Sequence, residues 1–235
     1  MRPKEFKYKQ FEGEVILLCV RWYLKYPLSF RNLKDIMMER GIEVSHTSIM
    51  RWAHQYAPIL EKKVRRHLKL TNDSWRVDET YIKVKGEWKY LYRAVDSEGN
   101  TVDFLLTSKR DKKAAKRFFN KALKSKNNVT PRVITIDKSG ANLSAINSLK
   151  QENSDVLGNL EIRQNKYLNN IIEQDHRFIK RIVKYALGFK SFNTAKRILS
   201  GIEIMNMIRK GQVDGLNRNA LLECKFINEL FGIVD

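Results

Sequence analysis

Up to residue 57 the apolar positions recur at helical intervals, and no alternating stretch is long enough for a strand. Val15, Leu18, Cys19, Trp22 and Tyr23 mark the apolar face of a first helix, which Pro27 brings to an end. Ser29 caps a second helix with Leu33, Ile36 and Met37 turned inward, and Gly41 stands where a helix C-terminus wants a residue tolerant of positive φ. Ser45 caps a third, whose inward face carries Ile49, Trp52 and Tyr56. From Trp75 the period changes to two. WRVDETYIKVKG alternates, EWKYLYRAV follows a Lys85-Gly86 turn, and Thr101–Thr107 follows the turn Ser97-Glu98-Gly99-Asn100, which together predict a three-strand meander.

Beyond the meander the pattern is mixed. Ala114, Ala115, Phe118, Ala122 and Leu123 form one helical stripe. RVITID, between Pro131 and Lys138-Ser139-Gly140, reads as a short strand buried on both faces. The helix ANLSAINSLKQE and the short segment NLEIRQN come next, then a long helix from about Asn169 to Tyr185 with Ile172, Ile179, Ile182 and Val183 as its buried stripe. Residues 191–210 predict an amphipathic helix on Ile198, Leu199, Ile202 and Met205, with core packing or subunit pairing as its use. The order β-β-β-α-β-α-β-α is that of an α/β, ribonuclease H-like mixed sheet with flanking helices, preceded by an all-α helix-turn-helix domain. The expected divisions are an all-α domain over 1–57, a basic linker over 58–74 that opens on Pro58, an α/β domain over 75–211 and a helical tail over 212–235.

Charge changes what this architecture is for. The 235 residues include 45 Lys and Arg against 26 Asp and Glu, a formal net charge of +19, and a field of that sign favours a polyanionic partner, above all nucleic acid. No stretch approaches the roughly 18 consecutive apolar residues of a spanning helix, so no membrane partner is expected. The basic N-terminus MRPKEFKYKQFEGE lacks an apolar h-region, which makes cytoplasmic residence the expectation. Cys19 and Cys224 form no CxxC pair, and the four histidines include no HExxH, so neither a cysteine framework nor a zinc-hydrolase site is indicated.

The second and third helices, joined by a tight Gly-containing turn, have the spacing of a helix-turn-helix. Residues at the start and on the outer face of the third helix, Ser45, His46, Thr47, Ser48, Arg51 and Gln55, are then candidates to meet DNA in a major groove. A plain helical bundle fits the same spacing. The run KKVRRHLK is either a grip on phosphates or a solvated face.

Three carboxylates carry the chemistry. Asp78 shares a strand face with Thr80, Ile82 and Val84, and a charge among inward residues needs a metal or a cation beside it. Asp137 ends the apolar run Val133-Ile134-Thr135-Ile136, at the carboxyl end of a strand where crevices of open α/β sheets form. Glu173 opens a helix on which His176 or Arg177 and then Lys180 follow along one side, with Lys180 a candidate for a DNA phosphate. Oxygen ligands of this kind suit Mg²⁺ or Mn²⁺, and two such ions about 3.5 to 4 Å apart assist in-line phosphodiester displacement. Glu79 adjoins Asp78 and Asp175 lies two residues past Glu173, so spacing alone leaves open which acids coordinate.

The chain resembles the DDE transposases of bacterial insertion sequences, in particular the insertion-sequence-six family. The resemblance lies in SFRNLKDIMMERGIEVSHTSIMRWAHQYAP, WRVDETYIKVKGEWKYLYRAVDSEGNTVDF, VITIDKSG, KYLNNIIEQDHRFIKR and GFKSFNTAKRILSGIE, which together span nearly the whole chain. It implies that Asp78, Asp137 and Glu173 are the catalytic, metal-holding acids and that Lys180 is the basic residue two turns after the glutamate. It implies as well 3′-end cleavage of the element's ends, transfer of the freed 3′-hydroxyl into target DNA, and a homodimer or higher homo-oligomer on DNA. Lys-Ser-Gly after Asp137 departs from the proline or alanine common there in relatives. A DNA-binding regulator without catalysis, or a remnant that binds ends without cutting, is the alternative.

Overall fold

The computed structural model describes residues 3–138, 140–165, 170–185 and 188–233. Two compact units emerge: Lys69–Phe178 form one, and the residues up to Leu68 join those from Ile179 onward in the other.

The Lys69–Phe178 unit is built on a five-stranded sheet of β1 (Ser74–Val84), β2 (Glu87–Asp96), β3 (Thr101–Thr107), β4 (Val133–Ile136) and β5 (Glu161–Gln164), in the order β3-β2-β1-β4-β5. β1, β2 and β3 pair antiparallel, whereas β4 runs parallel to both β1 and β5. Lys85 and Gly86, with φ of 51° and 82°, make the two-residue turn with both central residues left-handed that suits the right-handed twist of a hairpin. Asp96 organises the next turn, its Oδ1 accepting from the backbone N–H groups of Glu98 and Asn100. Helices α4 (Lys112–Lys124) and α5 (Gly140–Glu152) cover one face, where Trp75, Val77, Tyr92 and Ala94 join Phe118, Phe119 and Ile146 in a single core. A short helix, α6 (Ser154–Leu157), leads into β5. The sheet order, its one-sided antiparallel meander and its parallel second half are those of a ribonuclease H-like fold, as the element order predicts.

In the other unit α1 (Gly13–Lys25), α2 (Phe30–Met38) and α3 (His46–Val64) pack with α8 (Phe192–Arg209) and α9 (Ala220–Leu230). Ser29 and Ser45 cap α2 and α3 as expected, accepting from the backbone N–H groups of Asn32 and Ser48. The inward face of α1 is rotated from the expected one: Ile16, Leu17, Cys19, Val20, Tyr23 and Leu24 are buried, while Val15, Leu18 and Trp22 are only half-buried. Neighbouring helices wrap α1 widely enough to bury a different set of its nearly continuous apolar residues.

Residues 58–64 do not open a linker. α3 runs through Pro58 to Val64 because the buried positions Tyr56, Ala57, Leu60 and Val64 continue its apolar stripe beyond the one helical bond that a proline removes. α8 takes the first of its two expected uses, core packing, but it is more than one-sided, for every residue from Ser200 to Ile208 is buried. Gly201 lets it approach α1 and α3 so closely that a Cβ there would lie 2.7 Å from atoms of Leu24 and Ala57. Residues up to 211 do not all belong with the sheet, nor are those after them a tail: α8 joins the N-terminal helices, and Phe231 just after α9 is buried against Phe6 and Tyr56. No helix among the described residues is long and apolar enough to cross a membrane.

Candidate active site

β1 and β4 pair in parallel from Ser74↔Val133 to Arg76↔Thr135, and that register continued by two residues sets Asp137 beside Asp78. β4 ends at Ile136, so Asp137 stands where the parallel strand opens into a crevice. Among the described residues Asp78, Glu79 and Asp137 each place a carboxylate oxygen within 4.8 Å of those of the other two. Hard oxygen donors at this spacing fit a divalent cation such as Mg²⁺ or Mn²⁺.

Asp78 and Glu79 reach this point from opposite faces of β1. Glu79 belongs to the face of Trp75 and Val77, and its carboxylate is buried between two donors. Nδ2 of Asn142 on α5 donates to its Oε1 at 3.0 Å, and Nη2 of Arg110 donates to its Oε2 at 3.1 Å. The same Arg110 nitrogen donates to Oδ2 of Asp137 at 2.9 Å. Burial pushes the Glu79 carboxyl above the usual carboxylate range, and Asp137 and Asp78 push the same way against the pull of Arg110 and Asn142.

Asp78 looks to the other face, where α7 (Asn170–Tyr185) lies. Nε2 of His176 is 3.2 Å from its Oδ2, while Arg93, directly opposite Asp78 across the β1–β2 ladder, places Nη1 3.2 Å from Nδ1 of the same histidine. Nη2 of Arg93 also donates to Oδ2 of Asp175 at 2.5 Å, an ion pair in which the arginine side chain is wholly buried. Glu173 is exposed on α7, one turn before His176, and lies outside the group of three carboxylates. Of the two acids that spacing leaves open on this helix, Asp175 is therefore engaged by Arg93. Asn169, the expected first residue of the helix, lies outside the described residues, as does Ser139 of the turn after Asp137.

The remaining candidates divide by burial. His46, Thr47, Arg51 and Gln55 are exposed on α3, Ser48 is half-buried, and Gln55 accepts from Nζ of Lys9 at 2.9 Å. Ser45 is exposed, but its hydroxyl is taken up by the cap and by contacts to Thr47 and Ser48. Lys180 is exposed on α7. Of the two residues expected between Glu173 and Lys180 along that side of α7, Arg177 is exposed with them, whereas His176 is buried against the sheet, where it meets both Arg93 and Asp78.

Arg93, Arg110 and Asn142 were not singled out by the sequence. Arg93 carried a readable signal, since it falls at an inward position between Leu91 and Val95 of the otherwise apolar run Tyr90–Val95 and a charge there requires a buried acid. Nothing local marks Arg110 or Asn142, each of which lies far along the chain from its partner.

Residues 72–212 match the DDE domain family. The chain is 40% identical over 211 residues to the transposase for the insertion sequence-like element IS431mec of Staphylococcus aureus, covering 87% of this chain and 88% of that one. Identity and coverage are the same for the transposase of insertion sequence element IS257 in transposon Tn4003, also from Staphylococcus aureus. Among solved structures it is similar to the dimeric form of the HTLV-2 integrase catalytic core domain in complex with magnesium, with 19% identity and a TM-score of 0.47 over 61% of this chain and 96% of that one. The chain belongs to the DDE transposases of bacterial insertion sequences, in the insertion-sequence-six family.

Proposed function

We propose that this transposase binds the ends of its insertion sequence, cleaves them to free 3′-hydroxyl groups and transfers those ends into target DNA, with Asp78, Asp137 and Glu173 as its catalytic acids. The observation that carries the reading is the approach of Asp78, Glu79 and Asp137 to within 4.8 Å at adjoining parallel strands. Two divalent ions held by the proposed acids would supply the charge that activates the attacking oxygen and stabilises the leaving one in an in-line displacement. In the first step a water oxygen bonds to phosphorus as the bond to the 3′-oxygen breaks, and in the second that freed 3′-oxygen gives up its proton and bonds to a target phosphorus as the target's own 3′-oxygen leaves and takes up a proton.

Glu173 is favoured over Asp175 because Arg93 already engages Asp175, and over Glu79 because Glu79 is held by Asn142 on the far face of β1. Glu173 precedes His176 by one turn on α7, and His176 touches Asp78, so the helix carrying Glu173 is the one that meets this face of the strand. Arg110, which bridges Glu79 and Asp137, is the protein's own cation at the acids. DNA contacts fall to His46, Thr47, Ser48 and Arg51 with Gln55 on α3, as the second helix of a helix-turn-helix, and to Lys180; Ser45 serves through the cap. The net charge of +19 suits the phosphate contacts that two DNA partners demand, and a homo-oligomer would hold two ends together.

The test is cleavage of DNA carrying the element's ends in Mg²⁺. Wild-type cleavage that disappears in Asp137→Asn, with end binding retained, is the expected result. An unchanged product in that variant would remove the assignment, and wild-type protein that binds ends without cutting would identify an inactive remnant.

A further inference from the structure

The face of β1 and β2 that carries Glu79 emerges from the core as an aromatic and basic surface. Trp75, Val77, Tyr92 and Ala94 lie in the core, and further along the same face Tyr81 pairs with Tyr90 and Lys83 with Trp88. Trp88 is 59% exposed and Tyr81 48%, although two large rings on an open pleat are an unfavourable way to meet water. The rings form a continuous strip: the centroids of Tyr81 and Tyr90 are 5.5 Å apart, those of Tyr81 and Trp88 6.3 Å, and Nζ of Lys83 lies 5.8 Å from the Trp88 ring centre. The tight Lys85-Gly86 turn fixes this register, so the strip is a rigid feature of the hairpin.

The strip adjoins the candidate acids. Tyr81 is two residues beyond Glu79 on one strand face, about 7 Å along the chain. It also lies close enough to Arg110, the bridge between Glu79 and Asp137, to interact with it electrostatically.

From this juxtaposition we propose that Tyr81 and Trp88 form a stacking platform for unpaired bases of a DNA strand whose phosphodiester lies at the acids. The proposal rests on the reading of this protein as one that acts on DNA, and it adds the state of the strand and the place where it is held. Aromatic faces flanked by cations are what single strands bind, since every base has a π-face and the backbone is anionic. A paired duplex hides those faces inside its stack and offers mainly phosphates, for which lysines alone would serve. A second copy of this chain fits the surface less well. A two-fold pairing would bring Lys83 and Lys85 toward the same residues of the partner, whereas a polyanion neutralises both; Glu87 and Lys89 belong to the opposite face of the hairpin and pair with one another.

Trp88 is also a reporter, because Trp52 and Trp75 are buried and Trp22 is half-buried. The full chain is titrated with a short oligothymidylate while tryptophan emission is followed, and binding of the same labelled oligonucleotide is measured by anisotropy. The expected results are quenching in the wild type, loss of most of that quenching in Trp88→Ala, and roughly tenfold weaker single-strand binding in Trp88→Ala and in Tyr81→Ala. Affinity for a fully paired duplex should change far less, and the melting temperature should hold because both side chains are exposed. Quenching that persists without Trp88, or single-strand affinity unchanged in both variants, overturns the platform while leaving the enzyme reading to the Asp137→Asn cleavage assay. A failure of the wild type to bind the oligonucleotide overturns it as well. So does a change in sedimentation of Trp88→Ala without DNA, which would mark the surface as a contact between copies.

Discussion

Nε2 of His176 lies 3.2 Å from Oδ2 of Asp78, and the chemistry of the neighbouring arginine decides which of the two carries the proton. A guanidinium can only donate, so Nδ1 of His176 accepts from Arg93 and the ring hydrogen sits on Nε2, directed at Asp78. His176 is therefore a neutral imidazole that holds one oxygen of Asp78. Partners of this kind orient metal-binding carboxylates, and their loss costs about 10- to 100-fold in metal affinity or activity. His176→Ala should weaken Mn²⁺ binding to the DNA-free protein by that order, read by calorimetry. A wild-type affinity in a folded His176→Ala protein would show that Asp78 needs no such orientation.

The two acids of α7 should separate by phenotype. Asp175→Ala leaves the wholly buried Arg93 without its carboxylate, and breaking one side of a buried ion pair costs about 3–5 kcal/mol, so its main effect should be a loss of stability in chemical unfolding. Glu173→Gln alters an exposed side chain and should leave the unfolding midpoint nearly unchanged while abolishing end cleavage. The reverse pattern would move the third catalytic role to Asp175.

Gly201→Ala should destabilise the protein even though alanine is the better helix former. The gain in helix propensity is about 1 kcal/mol, but the added methyl would stand 2.7 Å from the Ala57 Cβ and from Leu24 Cδ1, neither free to withdraw from a packed core. A net loss of up to about 2 kcal/mol by denaturant unfolding is expected once overpacking, typically about 1–3 kcal/mol, is set against that gain. A variant at least as stable as the wild type would show that α8 can draw back from α1 and α3.

Cys19 should resist alkylation in the native protein. Burial pushes its thiol up to about 12, so at pH 8 almost none of the reactive thiolate is present, and reagents must also reach a fully buried atom. Because the folded value is raised, the protection extends upward in pH past the range where an unfolded cysteine would already have ionised. Mass spectrometry after brief iodoacetamide treatment should find Cys19 unmodified until denaturant is added. Modification at native pH 8 would reveal local opening of α1.

Much of this protein is written in its local pattern. The change from helical period to alternation at Trp75, the Lys85-Gly86 turn and the caps at Ser29 and Ser45 each depend on residues a few positions apart, and these elements form where that pattern predicts. Asp78 within a strand and Asp137 at the end of an apolar strand were legible for the same reason, and only the likeness to a family chose Glu173 over its neighbour Asp175. What tertiary structure decided concerns neighbours distant along the chain. That α8 is buried on every side from Ser200 to Ile208, that α3 runs on past Pro58 and that α1 turns a different face inward all depend on helices wrapped around them, which a single helix's period does not encode. The same holds at the site. His176 turns inward and Asp175 is engaged because both meet Arg93 across a sheet, and Glu79 joins Asp137 through Arg110. A hydrophobic period tells a residue which way to face, whereas the partner that makes a buried charge tolerable is chosen only when the chain folds back on itself.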